Sequence, residues 1–168
     1  MPRRKAQSGV SRFELMVCVM VFGVLLAVFI EKGLYYQEYA EKTAMEMTVA
    51  NIRTGLRYRI ADLMLANRMS EIPTLADENP MDWLAEKPKN YQGERDSAPA
   101  TPLEGMWYFD KKSRELIYTV NNRQHFSPSA YRDFTVRYRA MRVRGTDGQA
   151  AAETWIAFVG TSDYRWLQ

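Results

Sequence analysis

Apolar residues near the N-terminus form a continuous run that gives way to a periodic stripe. Residues 15–30 (LMVCVMVFGVLLAVFI) contain no charged side chain. Further on, apolar residues recur every three or four positions, which is typical of a helix with one buried face. The stripe consists of Met45, Val49, Ile52, Leu56, Ile60 and Leu63. The pattern predicts one helix from about Ser11 to about Arg68, with a weak point at residues 31–33.

The rest of the chain has the pattern of short elements. Residues 79–86 predict a second helix with Asn79 as N-cap and Pro80 at its first position. Proline and glycine between residues 88 and 102 predict a loop. The predicted strands are residues 106–110, 115–120, about 133–143 and 154–159, with a turn at 145–148. We therefore expect an α+β fold in which four antiparallel strands pack on the second half of one long N-terminal helix.

The apolar run predicts a membrane-spanning helix. Its sixteen residues rise roughly 24 Å, and Phe13 and residues 33–36 extend them toward the roughly 30 Å of a hydrocarbon core. A cleaved signal peptide has a similar pattern, but the length of the run and the absence of an Ala-x-Ala site oppose that interpretation. Basic residues before the run place the N-terminus in the cytoplasm.

Charge does not mark this chain as a nucleic-acid binder. Its 168 residues include 23 Lys+Arg and 20 Asp+Glu, a net charge of +3, and the isoelectric point is about 9.0. Arg3, Arg4 and Lys5 account for the whole excess. The remaining chain is neutral, so electrostatics gives no general attraction to phosphate.

Glu14 is an acid at the start of the apolar segment. An unpaired charge costs about 2.5–3.5 kcal/mol at the centre of a membrane helix and less near its end, so a partner is expected. Arg12 is two residues away and points to another face of the helix. If the chain were cut after Gly9, the new amino group of Val10 would lie four residues before Glu14. It could meet this carboxylate or the same one on a neighbouring subunit.

Residues 9–15 (GVSRFEL) resemble the class III leader junction of type IV pilins and type II secretion pseudopilins, and the resemblance covers about residues 1–32. It implies that a prepilin peptidase cuts after Gly9 and methylates the amino group of Val10. It also implies that Glu14 meets a neighbour's N-terminus and sets the register of helices in a filament. The implied organisation is a leader at 1–9, a transmembrane and assembly helix at 10–34 and an extracytoplasmic pilin-like domain at 35–168.

The resemblance also implies a location and a set of partners. The protein would cross the bacterial inner membrane once, with its C-terminal domain in the periplasm and with access to a pilus or pseudopilus. Its partners would be the prepilin peptidase, other pilin or pseudopilin subunits, membrane lipid and an inner-membrane assembly platform. A separate cytoplasmic ATPase would drive assembly, because this chain has no glycine-rich phosphate loop. Val10 and Arg12 depart from the usual pattern and favour a specialised or minor subunit.

Other chemistry has little support in the sequence. His125 is the only histidine and Cys18 the only cysteine, and no nucleophile motif accompanies them, so we expect no enzyme and place His125 in an exposed loop. The acids Asp147, Glu153 and Asp163 lack the spacing of a calcium loop. We expect no metal and no cofactor.

A basic strand leaves one alternative open. It carries Arg132, Arg137, Arg139, Arg142 and Arg144 among aromatic residues. These arginines could bind DNA, but a solvated face balanced by the domain's own acids is the preferred interpretation, and nucleic acid is not an expected partner. The alternative function is a permanently anchored single-pass protein with a periplasmic ligand- or DNA-binding domain, in which Glu14 is only a tolerated interfacial acid.

Overall fold

The computed structural model describes residues 11–97, 99, 101, 104–128, 134–144 and 154–167, without the side chains of Arg144 and Thr154. Several predicted features lie outside these residues: the leader, the cleavage positions Gly9 and Val10, Arg132, the turn at 145–148, and the acids Asp147 and Glu153. The fold is α+β, with one long N-terminal helix and a mixed sheet.

Helix α1 spans Arg12–Leu65. It ends in a Schellman motif, in which Asn67 has a φ of 57° and the Arg68 N–H donates to the Leu63 carbonyl at 2.8 Å. The predicted helix is thus confirmed within a few residues at both ends. Residues 31–33 are helical, so the predicted weak point is not a break.

The chain divides into two compact units, Met1–Gln37 and Glu38–Gln168. In the second unit, one face of α1 is buried. Its buried residues are Glu38, Met45, Val49, Ile52, Leu56 and Leu63. All but Glu38 belong to the apolar stripe that periodicity predicts. The part of α1 that follows residue 37 therefore packs as a core helix of its own domain.

Seven strands follow the helix within the described segments. They are β1 (Tyr91–Arg95), β2 (Trp107–Asp110), β3 (Glu115–Thr119), β4 (Phe126–Pro128), β5 (Thr135–Arg144), β6 (Thr154–Gly160) and β7 (Tyr164–Trp166). The predicted hairpin is present as β2 and β3, with Trp107 opposite Tyr118. The predicted long strand and its return are β5 and β6, which pair antiparallel.

The expectation of four antiparallel strands was wrong. The main sheet has five strands in the order β1-β2-β3-β5-β6, and β4 pairs with β7 in a second, two-stranded sheet. Strand β1 is parallel to β2 and lies where proline and glycine predict a loop. A register shift between Tyr91 and Glu94 accommodates Gly93, whose φ of 85° suits glycine. This irregularity lets a polar, glycine-containing segment pair at a sheet edge.

The predicted second helix is also shorter than expected. The structure has a 3₁₀ helix at Pro80–Trp83, and another at Met69–Asp77. Asn79 is the N-cap as predicted, because its side chain accepts a hydrogen bond from the Met81 N–H at 3.0 Å. The Asp82 N–H donates to the Asn79 carbonyl three residues back. Leu84 has an extended backbone conformation, so the helix ends at Trp83 and does not continue as an α-helix.

Candidate functional site

The first unit contains an apolar helical surface that nothing in that unit covers. Every large apolar side chain from residue 13 to residue 36 is at least 43% exposed. The helix is long and apolar enough to cross a membrane, and none of its most apolar 18-residue window is buried. A soluble core helix would bury such a surface within its own domain. Lipid or other protein chains are the remaining means of covering it.

Glu14 lies in the first turn of α1. Its backbone N–H donates to Ser11 Oγ at 3.1 Å, which makes Ser11 the N-cap. The Ser-x-x-Glu spacing of residues 11–14 is that of a capping box, which is a local signal for this cap in the sequence. Among the described residues no cation contacts the Glu14 carboxylate. The acid is therefore placed favourably for the helix dipole and has no charged partner among the residues that the structure describes.

The second unit begins with a buried acid, Glu38, which is 1% exposed. Its Oε1 accepts the backbone N–H of His125 at 2.9 Å and Nε1–H of Trp166 at 3.0 Å. Its Oε2 lies 2.7 Å from His125 Nδ1. When the carboxylate is ionised it can only accept hydrogen bonds, and His125 Nδ1 is then the donor. We call these three residues the Glu38 cluster.

His125 lies in an exposed turn, as the sequence predicts, and the Glu38 cluster adds a partner for its ring. The His125 side chain is 45% exposed, yet the ring is held by Glu38. Glu38 lies seven residues before Met45, and this two-turn spacing places it on the buried stripe of α1. A charge on an apolar stripe was thus the available signal. Its partners lie 87 and 128 residues away in sequence, beyond the reach of periodicity.

One turn further along α1, Glu41 binds the segment that follows β3. Its carboxylate accepts the Asn121 N–H at 2.7 Å, the Asn122 N–H at 2.9 Å and the Tyr118 hydroxyl at 3.0 Å. Burial raises the pKa of Tyr118, and the negative charge of Glu41 raises it further. In the next position Lys42 Nζ donates to the Trp166 carbonyl at 2.8 Å. Hydrogen bonds from this turn of α1 therefore connect it to segments that are distant in sequence.

A groove of about 400 Å³ lies beside α1, between Tyr58 and the 3₁₀ helix of Pro80–Trp83. Four acids line it, Asp62, Glu78, Asp82 and Glu94, and all but Asp62 have a side-chain partner within the described part of the chain. Glu78 accepts the Trp83 indole N–H at 2.9 Å, and Asp82 pairs with Lys87 at 2.6 Å. Among the described residues no group of three His, Cys, Asp or Glu side chains could hold a metal ion.

Three arginines of β5 bind acceptors in their own domain. Arg137 Nη1 lies 3.5 Å from the Glu115 carboxylate, Arg139 donates to the Ser113 carbonyl, and Arg142 donates to the Pro73 carbonyl at 3.0 Å and to Asp77 at 3.1 Å. This arrangement agrees with a face whose charge is balanced internally. Arg132 and the side chain of Arg144 are not among the described groups.

Comparisons with protein-family models, with curated proteins and with solved structures each found no match to this chain. The residues and the geometry of the chain itself are therefore the basis for assigning a function.

Proposed function

We propose that this protein is a pilin-like subunit, a pseudopilin or minor pilin of a type II secretion or type IV pilus system. A prepilin peptidase cuts it after Gly9 and methylates Val10. The mature chain is held in the bacterial inner membrane by the first half of α1, with the domain in the periplasm. It then assembles into a filament by packing this half of the helix against other subunits.

The uncovered apolar surface of the first unit carries this proposal. Its large apolar side chains are at least 43% exposed, so the helix needs a surrounding of lipid or of other apolar helices. A subunit that moves from membrane to filament uses both surroundings in turn. Because helices exchange lipid contacts for protein contacts of similar polarity, packing and polar groups decide the association.

Glu14 supplies such a polar group. In an apolar surrounding its charge favours a cation, and no described residue provides one. A new amino group at Val10 would stand four residues earlier in the sequence, and the same group of a neighbouring subunit could equally meet this carboxylate. The pairing would remove the cost of an isolated carboxylate and would fix how far one helix is displaced against the next.

The first experiment determines the N-terminus by mass spectrometry after expression with and without a prepilin peptidase. We expect a chain that begins with methylated Val10 when the peptidase is present and the intact leader when it is absent. Gly9→Ala is the control and should keep the leader in both cases. An intact leader in the presence of the peptidase would contradict the proposal, as would a cut beyond residue 30 by a signal peptidase.

The second experiment tests the role of Glu14 in assembly. Glu14→Gln removes the charge but keeps the side-chain size and the backbone bond to Ser11. We expect it to abolish cross-linked multimers and surface filaments while the subunit remains in the membrane. Glu31→Gln is the matched control, because Glu31 is an exposed acid of the same helix half. If both variants assemble normally, the permanently anchored protein is the better description.

A further inference from the structure

One edge of the main sheet is open. Strand β6 is last in the order of strands, and within the described segments no strand pairs with its outer edge. The Thr161 N–H donates to the Arg137 carbonyl at 2.9 Å, which continues the β5–β6 ladder by one residue. In an antiparallel pair, alternate residues direct their N–H and C=O groups toward the partner strand and away from it. The backbone groups of Ile156 and Phe158 therefore point away from β5.

A side chain of α1 supports this direction. Arg53 Nε donates to the Phe158 carbonyl at 3.3 Å, so that carbonyl faces away from β5. The Ile156 N–H and C=O groups lie two residues earlier on the same edge and have no hydrogen-bond partner among the described residues. Free backbone groups at a sheet edge are a template for another extended chain.

An apolar patch lies beside this edge. Val143 is opposite Trp155, and Met141, two residues before Val143, projects from the same face of the sheet. The three side chains are exposed by 42% (Met141), 44% (Val143) and 48% (Trp155), whereas Ile156 and Phe158, on the other face, are buried in the core. We call Met141, Val143 and Trp155 the outer patch. A contiguous apolar surface of this kind is typical of an interaction site.

The α1 side of the same edge is basic. Arg57 lies one turn after Arg53 on the same side of α1. Arg57 is exposed and forms no hydrogen bond or ion pair within the described part of the chain. Glu46 is on this side two turns before Arg53, but Lys42 lies 3.9 Å from its carboxylate and balances its charge. The edge therefore favours acids on its α1 side and apolar side chains over the outer patch.

We propose that an extended segment of another protein adds to β6 as a further strand of the main sheet, and that acidic and apolar residues alternate along this segment. Successive side chains of a strand point to opposite faces. The acids would therefore reach Arg53 and Arg57, while the apolar side chains cover the outer patch. Hydrogen bonds to Ile156 supply the backbone part of recognition, and the two faces supply its selectivity. The surface belongs to the domain alone, so the site does not depend on the proposed function.

A second copy of this chain fits the edge less well. Antiparallel pairing of two β6 edges would place Arg53 and Arg57 of both copies on the same face of one continuous sheet, where they repel each other. An acidic segment from another protein meets the same arginines with attraction.

Peptide binding tests this selectivity. The full chain in detergent is titrated into a fluorescein-labelled peptide in which valine and glutamate alternate, and fluorescence anisotropy is recorded. We expect saturable binding that weakens several-fold at high salt. A peptide with lysine in place of glutamate should bind several-fold more weakly, as should a peptide of the same composition with all valines before all glutamates. No binding of the alternating peptide, or equal binding of the three, overturns the proposal.

Amide hydrogen exchange shows whether the peptide occupies the edge. Nuclear magnetic resonance of the isotope-labelled full chain gives the exchange rates with and without the alternating peptide. The Ile156 amide should exchange several-fold more slowly with the peptide, because it gains an acceptor. The Ala157 amide points to β5 and is the internal control, which should keep its rate. Binding without protection of Ile156 contradicts strand addition.

Two substitutions with matched controls test the side-chain contacts. Trp155→Ala and Arg57→Glu should each weaken binding of the alternating peptide several-fold. Tyr58→Ala and Arg59→Glu change exposed residues on another side of α1 and should leave binding unchanged. Arg57→Glu should in addition strengthen binding of the lysine peptide, which a loss of folding would not do. Equal binding by all five proteins overturns the role of these side chains.

Occupation of the edge by a second copy has its own signature. The Ile156 amide would then be protected without peptide, and dilution of the protein would remove the protection. This result contradicts the proposal, because the edge would belong to a contact between copies.

Discussion

The two halves of α1 share one secondary structure but differ in what surrounds them. Leu25, in the first unit, is 61% exposed, whereas Leu56, in the second, is 4% exposed. The first half is apolar on all sides and has no cover within its unit. The second half is amphipathic and is covered by its own domain. Because both halves are helical, their secondary structure does not distinguish their roles. The surroundings of their side chains do.

Acidic residues in the two halves of α1 show the same contrast between an exposed and a buried surrounding. Glu31 is exposed, but Glu38, seven residues later, is buried and receives three hydrogen bonds. A carboxylate in the first half is available to partners outside the chain. The one at Glu38 belongs to the interior of the fold. Matched substitutions in the two halves can break or sharpen this contrast.

The largest effect is expected for Glu38→Ala. It leaves the His125 backbone, the His125 ring and the Trp166 indole without their acceptor, so we expect the free energy of unfolding to fall by about 3–5 kcal/mol. Urea unfolding of the full chain in detergent, followed by tryptophan fluorescence, measures it. Glu31→Ala should change this value by less than about 0.5 kcal/mol. Equal losses in the two variants would show that the contrast between these acids is wrong.

The next effect compares the same truncation in both halves. Leu56→Ala opens a cavity in the core and should lower the free energy of unfolding by about 2–4 kcal/mol. Leu25→Ala removes as many atoms from a surface that its own unit leaves exposed, and should leave that free energy unchanged. The same urea titration checks both. A loss for Leu25→Ala as large as that for Leu56→Ala would mean that the domain does bury the first half.

Two helical glycines give a smaller contrast, in which a methyl group is added rather than side-chain atoms removed. A Cβ at Gly55 would collide with the Trp83 carbonyl oxygen, whereas a Cβ at Gly33 would meet nothing within 4 Å. We expect Gly55→Ala to cost about 1–3 kcal/mol by overpacking. Gly33→Ala should cost nothing, because alanine is the better helix former. Thermal unfolding monitored by near-ultraviolet circular dichroism would separate the two, and stabilisation by Gly55→Ala would contradict the close packing of Trp83.

The smallest effect at neutral pH is expected for Tyr118→Phe, which loses one hydrogen bond to Glu41 and about 1 kcal/mol. Its pH dependence is more informative. The pKa of Tyr118 is raised in the folded domain, so the unfolded chain releases this proton first as the pH rises. The free energy of unfolding should therefore fall above about pH 10, by about 1.4 kcal/mol per pH unit for this group.

Urea titrations at a series of alkaline pH values test this slope. Tyr118→Phe should flatten the decline, and Tyr36→Phe, a change in the exposed first half, should leave it as it is. An identical decline in all three proteins would mean that Tyr118 is not the residue responsible.

Regular patterns made much of the fold predictable. The long helix, its buried stripe, the Asn79 cap and the strands of the β2–β3 and β5–β6 pairs all follow from local periodicity and turn residues. Strand β1 does not, because its polar sequence and Gly93 are favourable only at a sheet edge beside β2. Strands β4 and β7 are three residues each, too short for an alternating pattern to be recognised.

The residues of the candidate site also differ in how far the sequence alone predicts their role. Glu14 stands out locally, as a charge beside an apolar run. Glu38 and Glu41 become informative only through partners 77 to 128 residues away. The Ser11 cap and the position of Glu38 on the stripe were readable in the sequence. The identity of their partners required the three-dimensional fold.

The Glu38 cluster also affects the order in which the domain can mature. Glu38 precedes Trp166 by 128 residues, so a growing chain presents this acid long before the indole that binds it exists. The Lys42 bond to the Trp166 carbonyl and the β4–β7 pair wait for the same segment. Until residues 164–166 have been synthesised, the first turn of α1 in the domain lacks its hydrogen bonds to Trp166. Synthesis of the whole helix thus precedes closure of the domain.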